Sequence, residues 1–163
     1  MNYEIREMLP EDGARVLEIF HEGILGGNAT FDKDVPTWEV WNQKFCKVCR
    51  FVLENETDQI VGWAALQPIS ARECFRGVAE VSIYLANIAQ GKGLGTMLLQ
   101  KLILDSEENH FWMLQSGIFP ENKASIAVHL KLGFRILGTR EKLAEMNGVW
   151  RDVVFLERRS QKI

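Results

Sequence analysis

No stretch of this chain approaches the roughly 18 consecutive apolar residues of a membrane helix, so a spanning role is not expected. An excess of either charge is missing too. Nineteen Lys and Arg stand against 22 Asp and Glu, a formal net charge of −3. That balance offers no polybasic field for nucleic acid or an anionic membrane surface. Cysteine is scarce, with only Cys46, Cys49 and Cys74, which fits a reducing compartment. Cys46-Lys47-Val48-Cys49 has redox or zinc spacing, but no second pair and no nearby His completes four ligands. The simpler reading is two small apolar residues near a helix end, and no metal is expected. The first residues, Met1-Asn2-Tyr3-Glu4-Ile5-Arg6, alternate like a strand and lack a signal-peptide core, so a cytoplasmic location is expected. Internal repeats and low-complexity linkers are absent.

What is present is the composition of one globular domain. The 163 residues are 47% hydrophobic and 25% charged, enough for a substantial core. Alternation predicts a first strand over 3–8. Pro10-Glu11-Asp12 reads as a helix start, with Pro in the first turn and acids near the positive end of the dipole. Val16, Leu17, Phe20 and Ile24 recur at helical spacing, and Gly26-Gly27-Asn28 breaks that helix. Thr37 is placed to cap a second helix carrying Trp38, Trp41 and Phe45. Two strands follow, over 50–54 and 60–67, around the turn Asn55-Glu56-Thr57-Asp58. A loop spans 68–75. A long strand is predicted over 77–85, a helix over 92–108 and a strand over 111–118. A helix over 122–132, closed by Gly133, precedes strands over 134–138 and 149–156. The order β-α-α-β-β-β-α-β-α-β-β implies a mixed sheet with helices on its faces.

The densest signal is Ala79-Glu80-Val81-Ser82-Ile83-Tyr84-Leu85 followed by Gln90-Gly91-Lys92-Gly93-Leu94-Gly95. An apolar strand leads through a short loop into a glycine-rich helix start. Amides at such a start lack partners and sit at the positive end of the helix dipole. Glycines let that backbone approach a ligand closely. The spacing is neither that of an NTPase loop nor that of the dinucleotide fingerprint. On spacing alone a phosphate site and a merely tight loop both stand.

The Gln90–Gly95 segment resembles the Gln/Arg-x-x-Gly-x-Gly/Ala motif of the GNAT superfamily, the acetyl-CoA-dependent N-acetyltransferases. Further segments narrow the resemblance. Ala71-Arg72, the strand through Glu80, Asn122-Lys123-Ala124-Ser125, Leu130-Lys131-Leu132-Gly133-Phe134 and Trp150-Arg151-Asp152-Val153 look like the phosphinothricin/methionine sulfoximine acetyltransferases. The resemblance implies a single-domain GNAT fold over 1–163 of α/β (α+β) class. Its mixed, mostly antiparallel central sheet is splayed between the fourth and fifth strands and flanked by helices. It also implies acetyl-CoA as co-substrate, a small-molecule amine as acceptor and a homodimer.

The same resemblance assigns expected roles. The pyrophosphate of acetyl-CoA would sit on the amides of Gln90, Gly91, Lys92, Gly93, Leu94, Gly95 and Thr96. Main-chain groups of Ile83, Tyr84 and Leu85 would pair with its pantetheine arm, with Asn122 and Ser125 nearby. A main-chain N–H there would polarise the thioester carbonyl. Each residue also has a plainer reading: core strand for Ile83 and Leu85, solvated lysine for Lys92, N-cap for Asn122.

An amine must lose its proton before it attacks, and an α-amino group near pKa ~8 is mostly protonated at neutral pH. Glu80 is the candidate base, because a carboxylate in an apolar strand is costly unless used. The alternative is a strand glutamate facing solvent. His129 stands where many GNAT enzymes carry a Tyr acid, and a neutral or charged imidazole is expected to donate there. Local packing is its other reading. Arg72 would grip an acceptor carboxylate or phosphinate, with Phe31, Val81 and Ser82 lining the pocket. Cys74 has no neighbour that reads as an activating base, so direct attack without an acyl-enzyme is expected. Polyamines, peptide N-termini and aminoglycosides remain alternative acceptors, and a non-catalytic acyl-CoA-binding module is the reading outside enzymology.

Overall fold

The computed structural model describes residues 1–163. Strand β1 (Glu4–Glu7) leads through a 3-10 turn at Pro10–Asp12 into α1 (Gly13–Gly26). Then come α2 (Trp38–Lys44), β2 (Phe51–Glu54), β3 (Ile60–Pro68) and β4 (Val78–Leu85). The chain continues with α3 (Leu94–Glu108), β5 (Met113–Ile118), α4 (Lys123–Lys131), β6 (Arg135–Met146) and β7 (Val149–Arg159). The strands form one sheet in the order β1-β2-β3-β4-β5-β7-β6. Every neighbouring pair is antiparallel except β4 with β5.

That parallel pair makes the site possible. It holds only through Val78↔Met113, Ala79↔Leu114 and Glu80↔Gln115. Beyond Glu80, β4 stays bonded to β3 as far as Leu85, while Ser116 to Ile118 of β5 stay bonded to β7. The two strands splay, as the family resemblance implies. Their facing backbone groups lack a strand partner inside the sheet. Such groups are strong donors and acceptors that form a template for an extended ligand.

Helices cover both faces. Phe20 of α1 meets the Tyr84 ring edge-on at 5.1 Å, and Trp41 of α2 meets Trp63 at 5.3 Å. Trp63 stacks on Tyr84 at 4.8 Å across the β3–β4 pair. On the opposite face Leu85 and Leu98 of α3 close around Gly62, and α4 packs beside α3. Leu98, Leu99 and Leu102 are fully buried, on the 3.6-residue stripe of α3.

Local chemistry sets the boundaries. Thr37 Oγ1 accepts from the Val40 amide at 3.3 Å and starts α2. Gly27 ends α1 in the left-handed region, φ +78°. Pro10 opens a 3-10 turn, and the α-helix proper begins at Gly13. Helix α3 begins at Leu94 rather than 92, because Gly91 and Gly93 adopt φ +74° and +75°, outside helical space. Strand β6 runs to Met146, well past the expected end at 138. It is an edge strand, exposed from Arg135 to Lys142, so no alternation marks it in the sequence. Cys49 is core and its thiol is pushed up by burial, while Cys46 is half-buried and all three cysteines are free.

Candidate active site

A cleft of about 410 Å³ opens at the splay. It is lined from both faces of the sheet. Phe31 and Lys44 come from the α1–α2 side, Glu80 to Tyr84 from β4, and Ser125 and His129 from α4. The fork therefore passes through the sheet and joins two half-sites.

One half-site is the turn into α3. No protein group accepts from the amides of Gly91, Lys92 or Gly93, and Gly93 at the N-cap has no side-chain cap. An added Cβ at Gly91 or Gly93 would meet nothing within 4 Å, so the turn faces open space. Successive free amides around left-handed glycines form a concave anion cradle at the positive end of a 15-residue helix. This donor set fits a pyrophosphate. Gln90, Gly91, Lys92 and Gly93 are exposed, while the Leu94 side chain belongs to the core. Leu94 therefore has only its main chain to offer a ligand at the helix start, while Gly95 and Thr96 are half-buried. Leu85 packs toward α3. None of Leu85 to Thr96 lines the cleft itself; they follow directly in the chain on Tyr84, the last β4 residue that does.

Glu80 stands at the fork, the last residue of β4 that pairs with β5. Burial pushes its carboxyl above the ordinary range, and Lys44 and Gln115 pull partly against that. A raised carboxyl is a stronger base near neutral pH. Ser82 and Tyr84 share its face of β4 by the two-residue period. Tyr84 is pushed up by burial and stays a protonated phenol.

His129 is buried, 4% exposed, with Phe134 edge-on at 4.8 Å. Its Nδ1 lies 2.7 Å from the Ser125 carbonyl oxygen. A carbonyl only accepts, so Nδ1 carries the proton and Nε2 keeps a lone pair. Nε2 has no partner in the protein. Burial holds the imidazole below its ordinary pKa, against the Ser125 hydrogen bond. The ring is neutral and lines the cleft, while Nε2 itself is buried and unpaired. The Nδ1 proton is engaged by the Ser125 carbonyl, as the local-packing reading of His129 has it.

Asn122 Oδ1 accepts from the Ser125 amide at 3.3 Å as the α4 cap, while its Nδ2 donates to the Asn28 carbonyl at 3.3 Å. Both it and Ser125 line the cleft. Phe31 lines the cleft as well and leans edge-on against Phe119 at 4.8 Å. Val81, Ser82 and Ile83 contribute to the β4 wall. Arg72 is not brought there. It is exposed, opens a 3-10 turn over Glu73–Phe75 and lies 5.5 Å over the Phe75 ring. The cation lining the cleft is Lys44, 4.0 Å from Asp32. Sequence reasoning missed it. The available signal was its spacing three residues from Trp41, which puts both on one helix face.

The acetyltransferase (GNAT) family model matches residues 17–134. The L-methionine sulfoximine/L-methionine sulfone acetyltransferase of Pseudomonas aeruginosa is 27% identical over 162 residues, covering 96% of this chain and 94% of that protein. The enzyme of the same name from Salmonella typhimurium is 30% identical over 150 residues, covering 90% and 88%. Among solved structures, a GNAT superfamily phosphinothricin acetyltransferase from Sinorhizobium meliloti in complex with AcCoA superposes with a TM-score of 0.89 at 28% identity. That superposition covers 98% of this chain and 89% of the other.

Proposed function

The chain belongs to the acetyltransferase (GNAT) family and is an N-acetyltransferase, and from there we propose that it acetylates the α-amino group of a small amino acid by direct attack. Acetyl-CoA supplies the acetyl group as a thioester. The uncapped turn from Gly91 to Gly93 holds its pyrophosphate, and the free edge of β4 from Val81 to Leu85 lies along its pantetheine arm. The observation that carries this reading is the position of Glu80. A half-buried carboxylate stands at the point where the sheet opens, between the phosphate cradle and a separately walled acceptor side.

Glu80 takes the proton of the acceptor ammonium, directly or through a water. The freed amine attacks the thioester carbonyl, the C–N bond forms as the C–S bond breaks, and coenzyme A leaves as a thiolate that takes the amine's second proton, with neutral His129 lining the α4 side. Lys44 supplies the positive charge that an amino-acid carboxylate needs, a role expected of Arg72 from the sequence. Phe31, Val81 and Ser82 wall the acceptor. The relatives named for methionine sulfoximine, methionine sulfone and phosphinothricin support an acceptor of this class.

No helix is long and apolar enough to cross a membrane, and a cytoplasmic location is part of the proposal. So is a homodimer, supported by exposed Ile136, Leu137, Val149 and Trp150 on the β6–β7 edge.

The test is thiol release from acetyl-CoA across a panel of amines. Methionine sulfone, methionine sulfoximine, phosphinothricin and ordinary amino acids should turn over. Their decarboxylated counterparts and polyamines should be much poorer. Preferential turnover of polyamines would sink the amino-acid assignment.

A further inference from the structure

A side chain from the far end of the sequence makes two of the bonds that hold the start of the loop walling the acceptor side. Between α1 and α2 the chain runs without regular structure from Gly27 to Thr37. It begins at two glycines, and no atom would touch a Cβ at either Gly26 or Gly27. From outside the loop and α1, the backbone of residues 27–36 is bonded by two side chains only, Arg151 and Asn122.

Arg151 lies on β7, and its side chain is 12% exposed. Nη1 donates to the Gly27 carbonyl at 3.0 Å, and Nη2 donates to Asn28 Oδ1 at 2.7 Å. Nη2 also reaches Glu121 Oε2 at 3.3 Å. The guanidinium lies 4.0 Å over the Phe119 ring, and Phe119 in turn supports Phe31 in the cleft wall. One planar group thus ties the α1–α2 loop, the β5–α4 connection and β7 together. The fork geometry of arginine and its stacked face are both used, and lysine reproduces neither.

We propose that Arg151 is a positioning residue that sets the acceptor wall of the cleft by clamping the α1–α2 loop, with Phe119 and Phe31 carrying the constraint to the substrate. The proposal rests on the reading that this side of the cleft takes the amine. Without Arg151 the start of the loop keeps only the outside bond from Asn122 to the Asn28 carbonyl, and a wall that is right only part of the time weakens apparent affinity in proportion. The phosphate cradle at Gly91 and Gly93 is tied to none of these groups, so donor binding should be insensitive to the clamp.

Arg151→Lys keeps the charge and the stem and loses the fork. It should raise KM for the amine about tenfold and leave KM for acetyl-CoA within about twofold. Hydrogen–deuterium exchange should quicken at residues 27–32 by about tenfold or more while β3 and β4 keep their protection. Asn28→Ala removes one end of the clamp without touching β7, and keeps the test open should arginine replacement impair folding. Adding Asn28→Ala to Arg151→Lys should cost little more than Arg151→Lys alone, because both cut one interaction. Unchanged exchange at 27–32, or equal increases in both KM values, overturns the clamp. If the parent protein acetylates no amine, the acceptor assignment fails, and the exchange result still decides whether Arg151 holds the loop.

Discussion

At the residue scale the site turns on two side chains of opposite charge, half-buried Glu80 and exposed Lys44, that line one cleft. Glu80 is the proposed base, and its carboxyl is raised by burial above the ordinary 4.5. Turnover requires the ionised form, so kcat/KM should climb with pH through that raised value. A later limb, near pKa ~8, belongs to the free amine of the acceptor. Glu80→Gln should lower kcat/KM by about a hundredfold or more and abolish the first limb. The amine's limb should remain, and acetyl-CoA affinity should be nearly unchanged. A full pH–rate profile checks it, and a surviving acid limb would falsify the assignment. Lys44 acts on the same profile from the other side, because its charge pulls the Glu80 carboxyl down. Lys44→Met should move the acid limb to higher pH. It should also raise KM for α-amino acids about tenfold, the loss of one charge-assisted contact, and leave simple amines unaffected. If amino acids and simple amines respond alike, Lys44 does not read the carboxylate.

Elements place these residues, and here the sequence was legible to different depths. The phosphate turn was readable because Gly91 and Gly93 are a local signal: their positive φ is needed where they stand. Gly93→Ala should cost about 1–2 kcal/mol in the turn, the ordinary penalty for a left-handed non-glycine residue. In a titration it should weaken acetyl-CoA binding while KM for the amine holds. A donor affinity equal to that of the parent would remove the cradle from the site. Glu80 was readable for a similar reason, as a charge in an apolar period-two strand. The strand order and the splay followed from the family resemblance, since pairing between β4 and β5 spans more than thirty residues and has no local mark. Lys44 and Arg151 were not readable. Lys44 sits among the surface charges of a short helix until the fold turns that helix toward β4. The loop partners of Arg151, Gly27 and Asn28, lie more than a hundred residues earlier. The second half of β6 was invisible because an exposed edge strand shows no alternation.

Across the whole molecule, two charge clusters pin the ends of the chain to the sheet and helices. Arg6 of β1 bonds Asp12 and Glu54 at one end. At the other, Glu107 near the close of α3 receives Arg158 of β7 at 2.9 Å, Ser160 at 3.2 Å and Lys162 at 3.3 Å. Hydrogen bonding to Arg6 holds Asp12 low against burial. Burial pushes Glu107 up, and its three donors together outweigh that and hold it below the ordinary 4.5. A carboxyl lowered by folding contributes stability that is complete above its unfolded pKa and is lost as pH falls through its folded value. Glu107→Gln should therefore cost about 2 kcal/mol at neutral pH, or about 5 °C in Tm for a chain of this size. Below pH 4.5 the gap to the parent should narrow, because the protonated acid and the amide become equivalent toward Arg158. Asp12 weakens the parent in the same acid window, but it is common to both proteins and leaves the difference to Glu107. Glu107 lies outside the cleft, so activity per folded molecule should not change. Thermal melts of both proteins from pH 7 down to pH ~3 decide the matter, and a gap as wide at the acid end as at neutrality would mean that the Glu107 charge does not hold the C-terminus.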